Sequence, residues 1–172
     1  MNSHEEKGIM KNLILSLACM GVLVGISSAA KGGNFGLGII LGDPSGISAK
    51  IATSPINSVN LVLGYNQYRD YGWRNNKNCC YDGGQLYVGG DYVWYNYNLI
   101  HVSKGKLPLY YGPGLNATIS NYSSFGVRFV LGLEYQFADA PFDLFLEIGP
   151  GINVLPNTWA NGSGGLGARF FF

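Results

Sequence analysis

The residues after Lys31 alternate between apolar side chains and polar or small ones, and this period of two constrains the fold more than any other feature. Gly, Pro, Asn, Asp and Ser separate the alternating segments, as turn residues separate strands. No stretch sustains a helical period. Eight strands are predicted, at residues 34–42, 46–54, 58–69, 84–96, 108–119, 125–137, 142–154 and 162–172.

The two faces of each predicted strand differ in chemistry. Leu61 and Leu63 share one face of the third strand, and Asn60 and Gly64 lie on the other. The sixth and seventh strands repeat this pattern, with charges and glycines gathered on one side. An even number of such strands predicts an all-β protein that closes into an eight-stranded antiparallel up-and-down barrel, which leaves no unpaired edge.

Residues 1–30 have the organisation of a cleavable export signal. Lys11 precedes an apolar run over residues 13–26, and the small residues Ser28 and Ala30 suit signal peptidase. The run has 14 residues, whereas a membrane-spanning helix needs about 20. We therefore expect one barrel domain, at residues 31–172, behind the signal.

Two details of the N-terminal region bear on its processing. Acidic residues within the first nine positions are unfavourable in a signal that should open with positive charge, which indicates Met10 as the initiating residue and residues 1–9 as a start-site misassignment. Cys19 lies in the apolar run, but Ser16 occupies the position where a lipidation motif requires Leu or a similar residue. Lipidation is therefore not expected.

The last predicted strand closes on the aromatic residue Phe172, and this ending behind an export signal indicates a barrel of the outer membrane of a Gram-negative bacterium. Most predicted strands have nine to thirteen residues, which fits the ~9–11 that a tilted strand needs to cross a bilayer. With the C-terminus at the periplasmic rim, outward aromatic residues gather there as an interfacial girdle. The girdle residues are Phe35, Trp94, Tyr111, Phe137, Phe142 and Phe172.

The net charge is close to zero, with 11 basic and 10 acidic residues and no basic stripe. This excludes a nucleic-acid partner recruited by bulk charge. Charged residues make up 12% of the chain, while aromatic residues reach 14% and glycines number 26. Such a composition suits a sheet with one apolar face better than a soluble helical domain.

The ionisable residues within the predicted strands fall on the inward face. An eight-stranded barrel is just wide enough for side chains to fill it. We therefore expect these groups to pair with one another and plug the lumen, with Arg169 bonded to Glu147 or Glu134. The predicted polar network is Lys50, Asp91, Arg128, Glu134, Asp143, Glu147 and Arg169.

Candidate catalytic and metal-binding groups are few. His101 lies in a predicted periplasmic connection, whereas barrel enzymes that modify lipid A place such an acid–base group near the outer leaflet. Cys79 and Cys80 are adjacent in the longest predicted external loop, and the alternatives are a vicinal disulfide, pairing with another protein, or metal binding. Two thiols are too few ligands for zinc. We expect no enzyme activity, no cofactor and no metal site.

Other aromatic residues belong to predicted external loops. They could form a recognition patch or a second interfacial girdle, and both interpretations remain open at this point. The external loops are short for this class of barrel, which disfavours a large adhesive surface. The residues are Tyr71, Trp73, Tyr81 and Trp159.

Two prolines fall inside predicted strands, where each removes a donor from the ladder. They occur in near-identical phrases, Gly-Pro-Gly-Leu-Asn at residues 112–116 and Gly-Pro-Gly-Ile-Asn at residues 149–153. We expect a bulge or bend at Pro113 and at Pro150, with lumen-facing glycines that make room for a bulky neighbour.

Three phrases carry a resemblance, at residues 107–114, 137–147 and 164–172. With them the chain resembles the small eight-stranded outer-membrane barrels of the OmpA and OmpX type, and more closely a family of uncharacterised bacterial outer-membrane barrel proteins. The last phrase is also similar to the signal read by the barrel assembly machinery, with Gly167, Phe170 and Phe172 at matching positions. The resemblance implies location and fold, with outer-membrane lipid, lipopolysaccharide and the assembly machinery as contacts.

These patterns predict a monomeric integral barrel of the outer membrane with a plugged lumen and a structural or surface-interaction role. A narrow, porin-like pore or small-ligand carrier is the alternative if Lys50 and Arg128 face an open path. A soluble secreted barrel of the lipocalin kind is a further alternative. It requires the apolar rows that include Leu61, Leu63, Phe129 and Leu131 to face inward.

Overall fold

The computed structural model describes residues 33–66, 85–120 and 123–172, and these form eight β-strands. Each strand alternates apolar with small or polar residues, so one side of the resulting sheet is apolar while the backbone pairs with both neighbours. No helix among the described residues is long and apolar enough to cross a membrane. The strands are β1 (Phe35–Asp43), β2 (Ser45–Ser54), β3 (Asn57–Asn66), β4 (Gln85–Asn96), β5 (Leu109–Ile119), β6 (Ser124–Gln136), β7 (Phe142–Leu155) and β8 (Trp159–Phe171).

The strands pair in sequence order, and β1 closes the sheet against β8. The prediction of an eight-stranded, closed, antiparallel up-and-down barrel is confirmed. Among the described residues, the largest difference from the predicted boundaries concerns β8, which begins at Trp159 and not at residue 162. The predicted end of the third strand, residues 67–69, lies outside the described residues. Asn153 pairs with Trp159 and extends the β7–β8 ladder to that point. Trp159 is therefore a half-buried strand residue, and its predicted place in an external loop is wrong.

The outer surface of the barrel is apolar. Among the described residues, 33 large hydrophobic side chains are exposed and eight are buried. The apolar rows face outward, and the exposed fractions of Leu61, Leu63, Phe129 and Leu131 are 42%, 49%, 49% and 38%. The arrangement that a soluble lipocalin-like barrel requires is therefore wrong for this chain, because those side chains would have to be enclosed.

Charged side chains follow the opposite rule. Of the Asp, Glu, Lys and Arg residues in the described strands, only Asp43 is exposed, at the last position of β1. The other seven are buried inside the barrel, each at most 5% exposed. Apolar residues thus lie on the outer face and charged residues on the inner face, whereas a soluble barrel would place them the other way round.

One end of the barrel, here called the C-terminal rim, carries Phe172 and the connections at residues 55–56, 97–108 and 137–141. Aromatic rings meet on the outer surface near this rim. All six residues of the predicted girdle take part in or flank these contacts. The ring-centroid distances are 6.4 Å for Phe35–Phe172, 5.0 Å for Phe142–Phe170, 4.8 Å for Tyr135–Phe137 and 6.3 Å for Trp94–Tyr111.

The interior also contains apolar and aromatic side chains, which fill the space between the charged groups. Two glycines provide room for the largest of them. A Cβ atom on Gly132 would collide with the ring of Tyr110, and one on Gly167 would collide with the ring of Phe145. The buried hydrophobic residues are Ile40, Val62, Tyr87, Val93, Tyr95, Tyr110, Val130 and Phe145.

Pro113 and Pro150 are each paired with a residue on one neighbouring strand and unpaired on the side of the other neighbouring strand. Pro113 pairs with Phe129 of β6, and Pro150 pairs with Gly162 of β8. The ladders on their other sides are interrupted over two residue pairs, in β4–β5 and in β6–β7. The missing pairs follow from the missing N–H of proline, which cannot donate toward that strand.

Of the predicted bulge or bend at these prolines, the bulge is wrong, because the strand register is the same before and after each interruption. The register shifts in the barrel lie elsewhere, at Ala52/Ser54 and at Phe125/Gly126. Because the proline nitrogen faces the interrupted part of the ladder, no hydrogen-bond donor is needed from it there. The strand therefore continues without an inserted residue.

Candidate functional site

Glu134 is the centre of a buried ionic cluster near the C-terminal rim. Its Oε1 accepts a hydrogen bond from Lys50 Nζ at 2.5 Å, and its Oε2 accepts one from Arg169 Nη2 at 2.7 Å. Tyr95 and Gln136 add neutral donors at 3.0 and 2.7 Å. Since the side chain of Glu134 is fully buried, these four donors replace the water that would otherwise solvate its charge.

Asp143 completes this rim-side cluster. Arg169 Nε donates to Asp143 Oδ1 at 3.1 Å, and Lys50 Nζ lies 3.9 Å from Asp143 Oδ2. The cluster therefore contains two cations and two carboxylates. Arg169 also stacks over the ring of Phe145, with its Cζ atom 4.1 Å from the ring centroid, which supplies packing on a face that makes no hydrogen bond.

A second cluster surrounds Arg128 near the middle of the barrel. The Arg128 guanidinium binds Asp91 in a bidentate fashion through Nε, at 2.7 Å, and through Nη2. Its Nη1 donates to Ser163 at 2.9 Å. Glu147 lies 3.8 Å from Arg128 Nη2 and accepts a hydrogen bond from the Tyr110 hydroxyl at 2.8 Å. Bidentate pairing of this kind is the strongest ion-pair geometry available to arginine.

The predicted pair of Arg169 with Glu134 is present, whereas Glu147 belongs to the Arg128 cluster. The seven predicted network residues thus divide into two groups. The sequence carried no signal for this division, because it depends on how far each strand is staggered against its neighbour, which is a property of barrel closure.

The two clusters connect strands across the lumen. Lys50 lies on β2 and Glu134 on β6, which are opposite each other in a closed ring of eight strands. Arg128 and Asp91 join β6 to β4, and Arg169 and Glu134 join β8 to β6. Charged groups that bond one another across a filled interior act as braces and occupy the path that a conducting pore would need.

A cavity of about 560 Å³ opens at the C-terminal rim and ends on Lys50. Its wall includes Tyr95, Tyr97 and Gln136, with the two tyrosine rings stacked at a centroid distance of 6.0 Å. Partial burial raises the pKa of the Tyr97 hydroxyl. We call this cavity the vestibule. It is closed at its inner end by the charged cluster.

The repeated Gly-Pro-Gly phrases place equivalent residues at equivalent positions on β5 and β7. The asparagines that end them, Asn116 and Asn153, are 5% and 6% exposed inside the barrel. A Cβ atom on Gly126 would lie 3.1 Å from the side-chain oxygen of the first and 2.6 Å from that of the second. The repeated phrase in the sequence indicated that Asn116 and Asn153 hold equivalent positions. Their proximity depends on β6, which lies between β5 and β7 and carries Gly126.

Of the remaining candidate residues, only His101 lies in the part of the chain that the structure describes. His101 is exposed in the connection at the C-terminal rim. Within residues 33–66, 85–120 and 123–172, no group of three or more His, Cys, Asp or Glu residues is arranged to hold a metal ion. The predictions for Cys79, Cys80, Tyr71, Trp73, Tyr81 and residues 1–30 lie outside the described residues.

No protein-family model, curated protein or solved structure matches this chain significantly. The barrel and its interior network therefore rest on the geometry of this chain alone.

Proposed function

We propose that this chain is an integral β-barrel of the bacterial outer membrane with a side-chain-plugged lumen, acting as a structural or surface-interaction protein without catalysis. The carrying observation is the segregation of its faces. The exposed side chains of the described strands are apolar except at or next to strand ends, where Asp43, Ser45, Thr53 and Asn96 are exposed, while seven ionisable groups are buried inside.

The dimensions support membrane insertion. Strands of nine to fourteen residues, tilted by about 35–45°, match an apolar band about 25 Å tall. The aromatic contacts near the C-terminal rim correspond to an interfacial girdle, in which rings lie at the boundary of the hydrocarbon. Closure of the sheet gives every strand two neighbours, which a hydrocarbon environment requires because it offers no hydrogen bonds to a free edge strand.

The interior supports a plugged barrel more than a pore. The charged groups are paired with each other, and Tyr110, Val93 and Val130 are fully buried between them. A water-filled channel would leave several of these side chains accessible to solvent.

Membrane fractionation combined with electrophoresis tests this proposal. We expect the protein in the outer-membrane fraction of expressing bacteria, and we expect the unheated sample to migrate differently from the boiled one, because a folded barrel resists unfolding by the detergent. Recovery of the folded protein in the soluble periplasm or medium would refute membrane insertion.

The proposed contacts follow from this location. Lipid and lipopolysaccharide would surround the apolar surface, and the barrel assembly machinery would engage the C-terminal strand during insertion. Phe172 and Phe170 are exposed on the outer surface, 56% and 36%, with ring centroids 5.0 Å apart, so an assembly factor could reach both. A monomer is expected because the barrel is complete in one chain.

The vestibule favours a second candidate function, the binding of a small periplasmic ligand. Its tyrosines and amide side chains combine apolar and polar surface, as ligand pockets do. Planar-bilayer recording separates this candidate from a pore. The plugged lumen predicts no stable unit conductance with or without a ligand, and a stable conductance would contradict it.

A further inference from the structure

A groove crosses the outer wall of the barrel where the two ladder interruptions lie. Its volume is about 860 Å³. One edge is a cross-strand row that contains Tyr92, Pro113, Phe129 and Pro150, and the other edge is the row that contains Gly90, Leu115, Val127 and Ile152. We call this feature the proline groove.

The floor of the proline groove is the backbone of the intervening row. This row pairs Asp91 with Gly114, Gly114 with Arg128, and Arg128 with Gly151. The Asp91 carboxylate occupies the place that a Cβ atom on Gly114 would take, and the Asn161 amide does the same for Gly151. The buried Asp91–Arg128 pair therefore lies directly behind the groove.

The shape of the proline groove is built into the sequence. Proline fixes its own backbone conformation, and the two glycines on the floor cannot be replaced without displacing Asp91 or Asn161. The repeated Gly-Pro-Gly phrases supply both features twice. The floor of the groove is thus held by rigid backbone and by the interior.

We propose that the proline groove binds one hydrocarbon chain of a membrane lipid at a fixed position on the barrel. This inference rests on the proposed membrane location. The groove opens onto the same apolar surface that carries the exposed leucines, and its edges are aliphatic and aromatic. Asp91 and Arg128 offer no polar contact outward, since they are 3% and 4% exposed and bonded to each other. Hydrocarbon, and not a headgroup, is therefore the chemistry that fits.

Gly90 provides the means to fill the groove. It faces outward at the groove edge, and a Cβ atom there would meet only Leu61 Cδ2, at 3.3 Å. Ala168 provides a control position away from the groove, because it lies on the outward face of β8 with Leu166 and Phe170 and pairs with Ile39 and Leu144, neither of which lines the groove. Gly90→Leu and Ala168→Leu therefore place a leucine inside and outside the groove.

The test uses the purified full chain in phosphatidylcholine vesicles whose lipid carries a photoactivatable diazirine in one acyl chain. After illumination, mass spectrometry locates the labelled residues. We expect residues 113–115, 127–129 and 150–152 to carry at least three times the labelling of outward residues on β1, such as Leu37 and Ile39. Gly90→Leu should reduce groove labelling to the level of β1, and Ala168→Leu should leave groove labelling unchanged.

Equal labelling around the whole barrel would overturn the inference while leaving membrane insertion intact. Cross-links between two copies at the groove would also overturn it, since a second barrel would then be the occupant. Loss of the protein from the vesicles, with no outward residue labelled, would instead refute the proposed membrane location, and the lipid site with it.

Discussion

Lys50 and Glu134 lie on opposite strands of the barrel, 84 residues apart in sequence, and their side chains meet at 2.5 Å in the lumen. Arg169 reaches the other oxygen of the same carboxylate at 2.7 Å. One buried acid therefore holds two cations from two different strands. This makes Glu134 the residue whose loss should affect the largest part of the interior.

Glu134→Gln should lower the free energy of unfolding by about 3–5 kcal/mol, the usual cost of removing one partner from a buried ion pair. Lys50 and Arg169 would then share only Asp143. Urea unfolding in detergent micelles, followed by the fluorescence of the three tryptophans, measures this. Glu147→Gln is the control.

The control should cost about 1 kcal/mol or less, because the nearest cation to Glu147 is 3.8 Å away and a glutamine can still accept the Tyr110 hydrogen bond. Equal losses for the two variants would show that Glu134 is not the centre of the network.

The Asp91–Arg128 pair should show strong energetic coupling. Asp91→Leu and Arg128→Met each strand a buried charge, whereas the double variant removes both charges together. We expect the double variant to be more stable than the sum of the single losses by about 1–3 kcal/mol. A double-mutant cycle from urea unfolding gives this value. Additive losses would mean that the pair contributes nothing as a pair.

The interior packing makes a third prediction. Gly132→Ala places a methyl group against the Tyr110 ring, and Gly162→Ala places one where nothing lies within 4 Å. Overpacking of a filled core costs about 1–3 kcal/mol, so the first variant should unfold at lower urea and the second should not. A similar midpoint for both would indicate that the lumen has free space beside Tyr110.

Much of the fold could be predicted because the period of two is carried by individual side chains. The alternation within one strand is enough to place Leu61 on the outward face and Asn60 on the inward face. The inward positions of Arg128 and Glu147 follow from their own strands in the same way. Pairing across the lumen could not be predicted, since Glu147 joins Arg128 and not Arg169 through the stagger of closed strands. The bulge predicted at Pro113 and Pro150 was wrong for a related reason. A missing N–H donor shows where a ladder loses hydrogen bonds, but it does not show whether an extra residue is inserted there.

The cost of a charge on the outer surface depends strongly on whether that surface faces water or lipid. Ile39 lies at the centre of β1 and is 56% exposed, and Leu155 ends β7 at 61% exposed. In water, lysine at either site would be nearly neutral for stability, because both side chains are already solvent-accessible. In a bilayer, Ile39→Lys should cost about 2–4 kcal/mol and Leu155→Lys about 0–1 kcal/mol, since the cost of a charge falls from the midplane to the interface. Reversible urea unfolding in phosphatidylcholine vesicles measures both, with the same variants in zwitterionic micelles as a reference. If the two lysines cost equally little in vesicles, the apolar surface does not face lipid, and the depth dependence on which the membrane assignment relies is absent.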